Sequence, residues 1–332
     1  MRNDRMLVAL MVLVFWLPPG SAQSSLNLGP AGQEGECSNS RLPNANQLAL
    51  LRWYSANESS SFSIGGNPIG LAYDGSSLWI VNIGTNSVSK VRTSDGATLG
   101  TFPAGKNPGY AAFDGANIWV TNIGDNTVSK LRASDGASLG TFATGKDPWG
   151  IAFDGTSIWV GNILDNTVSK LRPSDGSTLG VFPAGQCPIS MAFDGSNLWI
   201  TNQCGGNTVT KLRASDGAHL GTFSVGKNPV GAAFDGSSIW VTNQDSNTVT
   251  RLRAADGYLM GTFNVGTQPQ FAAFDGANIW VTNQGSNNVT KLRACDGTHI
   301  GTFPAGDFPV GIHFDGANIW VSNQHGGTLS KL

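Results

Sequence analysis

The sequence predicts an all-β chain folded as a seven-bladed β-propeller, with four-stranded antiparallel blades and a ring closed by an N-terminal strand that completes blade seven. Three observations lead there. The decamer FDGANIWVTN at 113–122 returns unchanged at 274–283, and at 314–323 with a single change of Thr to Ser. Its tryptophan recurs as Trp79, Trp119, Trp159, Trp199, Trp240, Trp280 and Trp320, separated by 40, 40, 40, 41, 40 and 40 residues. Each period holds Asp-Gly turns between apolar runs and no helical pattern, and four short strands in about 40–45 residues is the repeat of a propeller blade.

The elements follow in chain order. Arg2 and Arg5 precede the apolar run Met6–Leu17, and Gly20-Ser21-Ala22 offers a small-residue exit. Such a run is too short to cross a bilayer, which predicts a cleaved export signal over residues 1–22. No Cys follows it directly, so no lipid anchor is expected. The mature chain should be periplasmic, surface-bound or secreted, with no membrane span. Residues 23–59 do not fit the repeat and hold Cys37 and all three Glu residues, Glu34, Glu36 and Glu58. They predict a leader packed on the side of the propeller.

Residues 60–332 carry the repeat. In each unit a Pro opens strand A, which ends in aromatic-Asp-Gly; strand B follows as Ile/Leu-Trp-Val/Ile, then a Gly/Asn/Ser-rich corner, strand C as in TVSKLR, a second Asp-Gly, and strand D as LGTF. Asp-Gly between β-branched runs marks a hairpin, because Gly accepts positive φ and Asp bonds its local backbone. Ile118 and Val120 face one way in strand B and Trp119 the other, so both faces are apolar and the strand is buried on both sides. The second Asp-Gly motif occurs six times, because the chain stops at Lys331-Leu332 inside strand C of unit seven. SSFSIGGNP aligns with LGTFPAGKNP, Phe62 on Phe102, which predicts that residues 60–65 supply the missing strand D.

Composition bounds the function. With 40% hydrophobic residues, 13% charged and 44 Gly among 332, the chain can bury a large core and make many turns. Without Arg2, Arg5 and Asp4 the balance is 18 basic residues against 21 acidic, from totals of 20 and 22, so no nucleic-acid partner is expected. There is no phosphate loop, zinc-spaced His/Cys cluster or nucleophile elbow, and neither metal nor cofactor is expected. The recurrent Lys-Leu-Arg of strand C reads as a solvated basic edge near the outer rim.

Equal positions serve the scaffold, so a site is sought where the units differ. The D–A and B–C corners should share one face, around the channel mouth. A ring of Asn ends strand B (Asn82, Asn122, Asn162, Asn202, Asn243, Asn283 and Asn323) and should tie down corner backbone. The next residue splits the mouth: Ile83, Ile123 and Ile163 on one side, Gln203, Gln244, Gln284 and Gln324 on the other. Tyr110, Trp149 and Phe271 replace small residues near the start of strand A, Phe308 precedes Pro309, His313 replaces an Ala, and His325 lies in the last B–C corner. Aromatic planes beside amides suit a glycan or an extended peptide; the same aromatics would equally serve to plug the channel. These ten residues, Tyr110, Trp149, Phe271, Phe308, the four Gln and the two His, form the candidate binding set, with a glycan, peptide or protein as partner.

Export implies an oxidising compartment, in which four cysteines should pair. Cys187 in the D–A corner entering blade four and Cys204 in the B–C corner of that blade fall on one face, beside the only extra residue of the repeat. Cys37 and Cys295 remain for a second bond that pins the leader.

IWVTNIGDNTVSKLRASDGASLGTF (118–142) resembles the YVTN-type repeat of bacterial seven-bladed propellers, with Trp-Val-Thr-Asn for Tyr-Val-Thr-Asn, over residues 60 to 332. The resemblance implies an exported binding or structural module. The units are also similar to the virginiamycin B lyase type, whose activity rests on a His, Glu residues and magnesium at the mouth. No Glu stands in 60–332, so neither that metal site nor the Glu-containing site of the gluconolactonase type carries over. Two readings follow: a non-enzymatic binding or scaffold module, or a lyase or lactone hydrolase using His313 or His325 as base and Asp125, Asp165, Asp245 or Asp307 around a cation.

Overall fold

The computed structural model describes residues 60–332; the predicted signal (1–22) and leader (23–59), with Cys37, lie outside them. The described chain makes seven four-stranded antiparallel sheets, six of them from consecutive strands. Blade two is typical, with strand A at Pro108–Phe113, B at Asn117–Asn122, C at Thr127–Arg132 and D at Ser138–Ala143. In blade seven, Pro309–Phe314, Ile319–Asn323 and Thr328–Lys331 form strands A to C, and Ser60–Ser63 pairs with the last as the outer strand. Phe62 stands opposite Leu329 in that pairing and stacks on Trp320 at 5.6 Å. Each strand A lies beside the next, and strand A of blade seven beside that of blade one, so the sheets form a ring about a central axis.

The hairpin Asp is structural, as its sevenfold recurrence predicts. Asp154 Oδ1 accepts the backbone N–H groups of Thr156 and Ser157, while Oδ2 accepts the indole N–H of Trp159 at 2.7 Å. Every blade repeats this indole bond at 2.7 or 2.8 Å. Burial raises the pKa of Asp154, but the bonds from Trp159, Thr156 and Ser157 outweigh it and hold the carboxyl below its usual range. The turn thus locks the large core side chain in place.

The lysine of strand C corrects the sequence reading. Lys170 is buried, not solvated: its Nζ lies 5.0 Å from the Trp159 ring centre and donates to the carbonyl of Ala214 in blade four at 2.7 Å. Its aliphatic stem covers the indole while the ammonium finds an acceptor, which makes burial tolerable. The same grip joins Lys90 to Ala133, Lys130 to Pro173, Lys211 to Ala254, Arg251 to Cys295 and Lys331 to Thr93. Among the described residues Lys291 stays within its own blade, 4.4 Å over Trp280 and 3.9 Å from Asp275. Only the Arg of Lys-Leu-Arg is exposed, as in the Arg132–Asp135 pair at 2.9 Å, and such surface pairs contribute little.

Nearer the axis, the threonine before the Asn ring joins neighbouring blades. Thr121 Oγ1 donates to the carbonyl of Trp149 at 2.9 Å and Thr242 Oγ1 to that of Gln270 at 2.6 Å. These bonds fix the backbone under the residues that line the mouth.

Candidate functional site

The D–A and B–C corners meet on one face through the Asn ring. Asn122, wholly buried, accepts the N–H of Gly105 through Oδ1 at 2.9 Å and donates through Nδ2 to Thr127 and Ser129. Asn162, Asn243 and Asn323 bond Gly145, Gly226 and Gly306 in the same way. In these four blades the Asn ties down the corner, as expected; among the described residues Asn82, Asn202 and Asn283 donate only to strand C, and their buried side-chain oxygens have no hydrogen-bond partner.

Inside the Asn ring lies a cavity of about 430 Å³. Its wall sets Gln203, Gln244, Gln270, Gln284 and Gln324 among the aliphatic residues Ile69, Ile83, Ile163, Ile189, Val230 and Val310, with Tyr110, Trp149 and Asp147; Ile123 is not on it, and aliphatic residues also stand in the blades that carry the glutamines. The structure thus brings together Tyr110, Trp149 and the four predicted glutamines. Trp149, partly exposed, donates its indole N–H to Asp147 Oδ1 at 3.0 Å, which orients the ring.

Phe271 lies under this wall. Its ring stands 5.0 Å from that of Tyr110, and Tyr110 is 5.9 Å from Trp149. Blades two and six are not neighbours, so the Tyr110–Phe271 contact spans the axis. Burial raises the pKa of the Tyr110 phenol far above its ordinary value. Tyr110 and Phe271 meet across the axis, while Trp149 is on the cavity lining.

Gln270 was not foreseen. It is 93% buried, since 7% of its surface is exposed, and its Nε2 donates to Gln284 Oε1 at 3.1 Å. Its signal was a polar residue at the second position of strand A, where Ile69, Ile189, Val230 and Val310 are aliphatic.

Phe308 and His325 sit at the rim, stacked at 3.8 Å, with His325 Nδ1 3.9 Å from Asp307 Oδ2. Phe308 holds φ of +61°, an uncommon conformation for an aromatic residue, at the corner position where other blades place Asn, Asp, Cys or Gln. His313 is away from the mouth. It pairs across the sheet with Trp320, next to the A–B hairpin, and its ring lies 6.0 Å from that of Tyr73 in blade one. Burial drives its pKa from 6.5 down to about 4, against a smaller upward pull from Asp315. The folded chain therefore binds this proton less readily than the unfolded chain, so stability present above pH 6.5 should fall as the pH drops towards 4. His313→Ala, which restores the residue of the other six blades, should flatten that part of a pH–melting curve.

Asp125, Asp165, Asp245 and Asp307 are spread over four blades and bound locally. Asp125 and Asp165 accept the backbone N–H of Lys106 and Lys146 at 2.7 Å, and Asp245 accepts Asn228 Nδ2 at 3.2 Å. Among the described residues no three His, Cys, Asp or Glu side chains gather where they could hold a metal ion.

The expected disulfide joins Cys187 and Cys204 beside Gln203, across a Cα separation of 5.3 Å and 17 residues of chain. Closing a loop of this length stabilises by about 3 kcal/mol in the chain-entropy model. Non-reducing peptide mapping should yield a linked 187–204 fragment, and Cys187→Ser/Cys204→Ser should lower the melting temperature. Cys295 is also disulfide-bonded, while its expected partner Cys37 lies outside the described residues.

No family model matches the sequence, nor does any curated protein. The structure is similar to the hydrazine synthase of Kuenenia stuttgartiensis, with a TM-score of 0.73 at 17% identity, covering 80% of this chain and 95% of that one. It is also similar to a streptogramin B lyase, with a TM-score of 0.70 at 20% identity, covering 82% and 96%. The likeness is one of fold. It places the seven-bladed ring among known propellers and leaves the mouth, where the blades differ, to be read from its own residues.

Proposed function

We propose that this chain is an exported, non-enzymatic binding or scaffold propeller that takes a glycan, peptide or protein segment at the channel mouth. The observation that supports this reading is the cavity of about 430 Å³ lined by aliphatic side chains and five glutamines, with a half-buried tryptophan on its wall. Pockets of this size and mixed lining are typical of ligand sites, where apolar walls supply area and a few amides fix orientation. The alternative, a lyase or lactone hydrolase, needs a base and carboxylates that converge. His313 is next to the opposite hairpin, and the four aspartates stand apart on separate corners.

Screening the mature protein against glycan and peptide arrays tests the reading. Trp149→Ala should weaken binding of whatever is captured by about tenfold or more while leaving the melting temperature nearly unchanged. Loss of stability equal to that of a blade-core change, with binding intact in the folded fraction, would make Trp149 filler and the mouth no site.

A further inference from the structure

We infer that the mouth takes the uncharged terminal sugar of a glycan chain, entering end-on; this rests on the mouth being a binding site. Three features on the wall lead there. Tyr110 and Phe271 meet across the axis at 5.0 Å and obstruct the channel. A chain that goes down into the cavity must therefore go in by its end.

The second feature is charge. Asp147 is the one ionisable carboxylate on the lining, its Oδ1 is already engaged by Trp149, and the lining has no Lys or Arg. The carboxy terminus of a peptide or a uronic acid would be desolvated there without a cation, which is costly. An ammonium would be drawn to Asp147, so a peptide library with free amino termini is the competing probe; a neutral sugar end meets neither cost nor attraction.

The third is the orientation of the amides. Asn228 Nδ2 donates to Gln244 Oε1 at 2.7 Å, and Gln270 Nε2 donates to Gln284 Oε1 at 3.1 Å. With their oxygens so engaged, the NH₂ groups of Gln244 and Gln284 remain as donors on the cavity wall. Hydroxyl groups accept and donate at once and so suit such a wall. Trp149, on the same lining, supplies an aromatic ring against which the C–H side of a pyranose could pack.

The test uses the mature protein with three sets of probes: neutral linear oligosaccharides of gluco, galacto and manno configuration, the corresponding uronic-acid oligosaccharides, and a decapeptide library. Binding of a neutral oligosaccharide is expected, with competition by the methyl glycoside of its terminal residue. Trp149→Ala, and separately Gln244→Glu and Gln284→Glu, which keep the oxygens that accept from Asn228 and Gln270 but remove the NH₂ donors, should each weaken it by about tenfold or more with melting temperatures retained. Binding that methyl glycosides do not compete, a preference for uronic acids, or indifference to all three variants would overturn the inference. Capture of peptides alone, sensitive to Trp149→Ala, would overturn it while leaving the mouth as a site. Capture of nothing from any set would overturn both.

Discussion

Trp159→Ala should destabilise the propeller by about 3–5 kcal/mol, the cost of emptying a large aromatic site in a close-packed core. The indole is fully buried, bonded to Asp154 at 2.7 Å, covered by Lys170 and stacked on Phe182 at 5.4 Å. Removing it takes the indole donor from Asp154 Oδ2 and leaves Lys170 without the surface its stem covers, so the cavity cost is joined by losses at two charged groups. Chemical denaturation checks this. A loss below about 1 kcal/mol would mean that the interface between blades three and four can collapse around the gap. Trp159→Phe should recover part of the loss but not the bond to Asp154.

Loss of the outer strand of blade seven should be as damaging. A chain beginning at Gly66 lacks Ser60–Ser63 and so exposes the edge of Thr328–Lys331, together with the Trp320 face that Phe62 covers. An unpaired edge is a template for aggregation. This chain should be insoluble or melt far lower, whereas one beginning at Asn57 should stay folded. Both lack residue 37, so a difference between them belongs to the strand. Equal stability of the two would show that the pairing of Ser60–Ser63 with Thr328–Lys331 contributes nothing to the ring.

The fold was legible because its signals are local and repeated: a tryptophan period of 40 residues and Asp-Gly at both hairpins. The pairing of Phe62 with the last strand was legible for the same reason, as an alignment of one unit with another. The lysines were misread because a charged residue in a regular series is most often solvated, and the stem that lets Lys170 lie over Trp159 is invisible in a pattern of charges. His313 was misplaced because a strand was treated as a point. It lies four residues beyond Pro309, roughly 13 Å at about 3.3 Å per residue, which carries it from the mouth towards the other face. Gln270 departs from the repeat only in polarity, a weaker signal than the change in size at Tyr110, Trp149 and Phe271. That Tyr110 would touch Phe271 follows from closing the ring, and no comparison of units placed 161 residues apart, at 110 and 271, could reveal it.

The lysine grip has a consequence for how such a chain can grow. Lys90 reaches 43 residues ahead to Ala133, Lys130 the same distance to Pro173, and Lys170 44 residues to Ala214, across the one unit that is a residue longer. The five interfaces from blade one to blade six are therefore addressed by distance along the chain: the cation belongs to one unit and its acceptor is a backbone carbonyl, which any residue at that turn provides. A duplicated unit would arrive carrying a grip for its successor and an acceptor for its predecessor, so both new seams would fit at once without a compensating mutation. Copying of whole units is then a low-barrier route to a larger ring, and identical decamers are what such copying leaves behind.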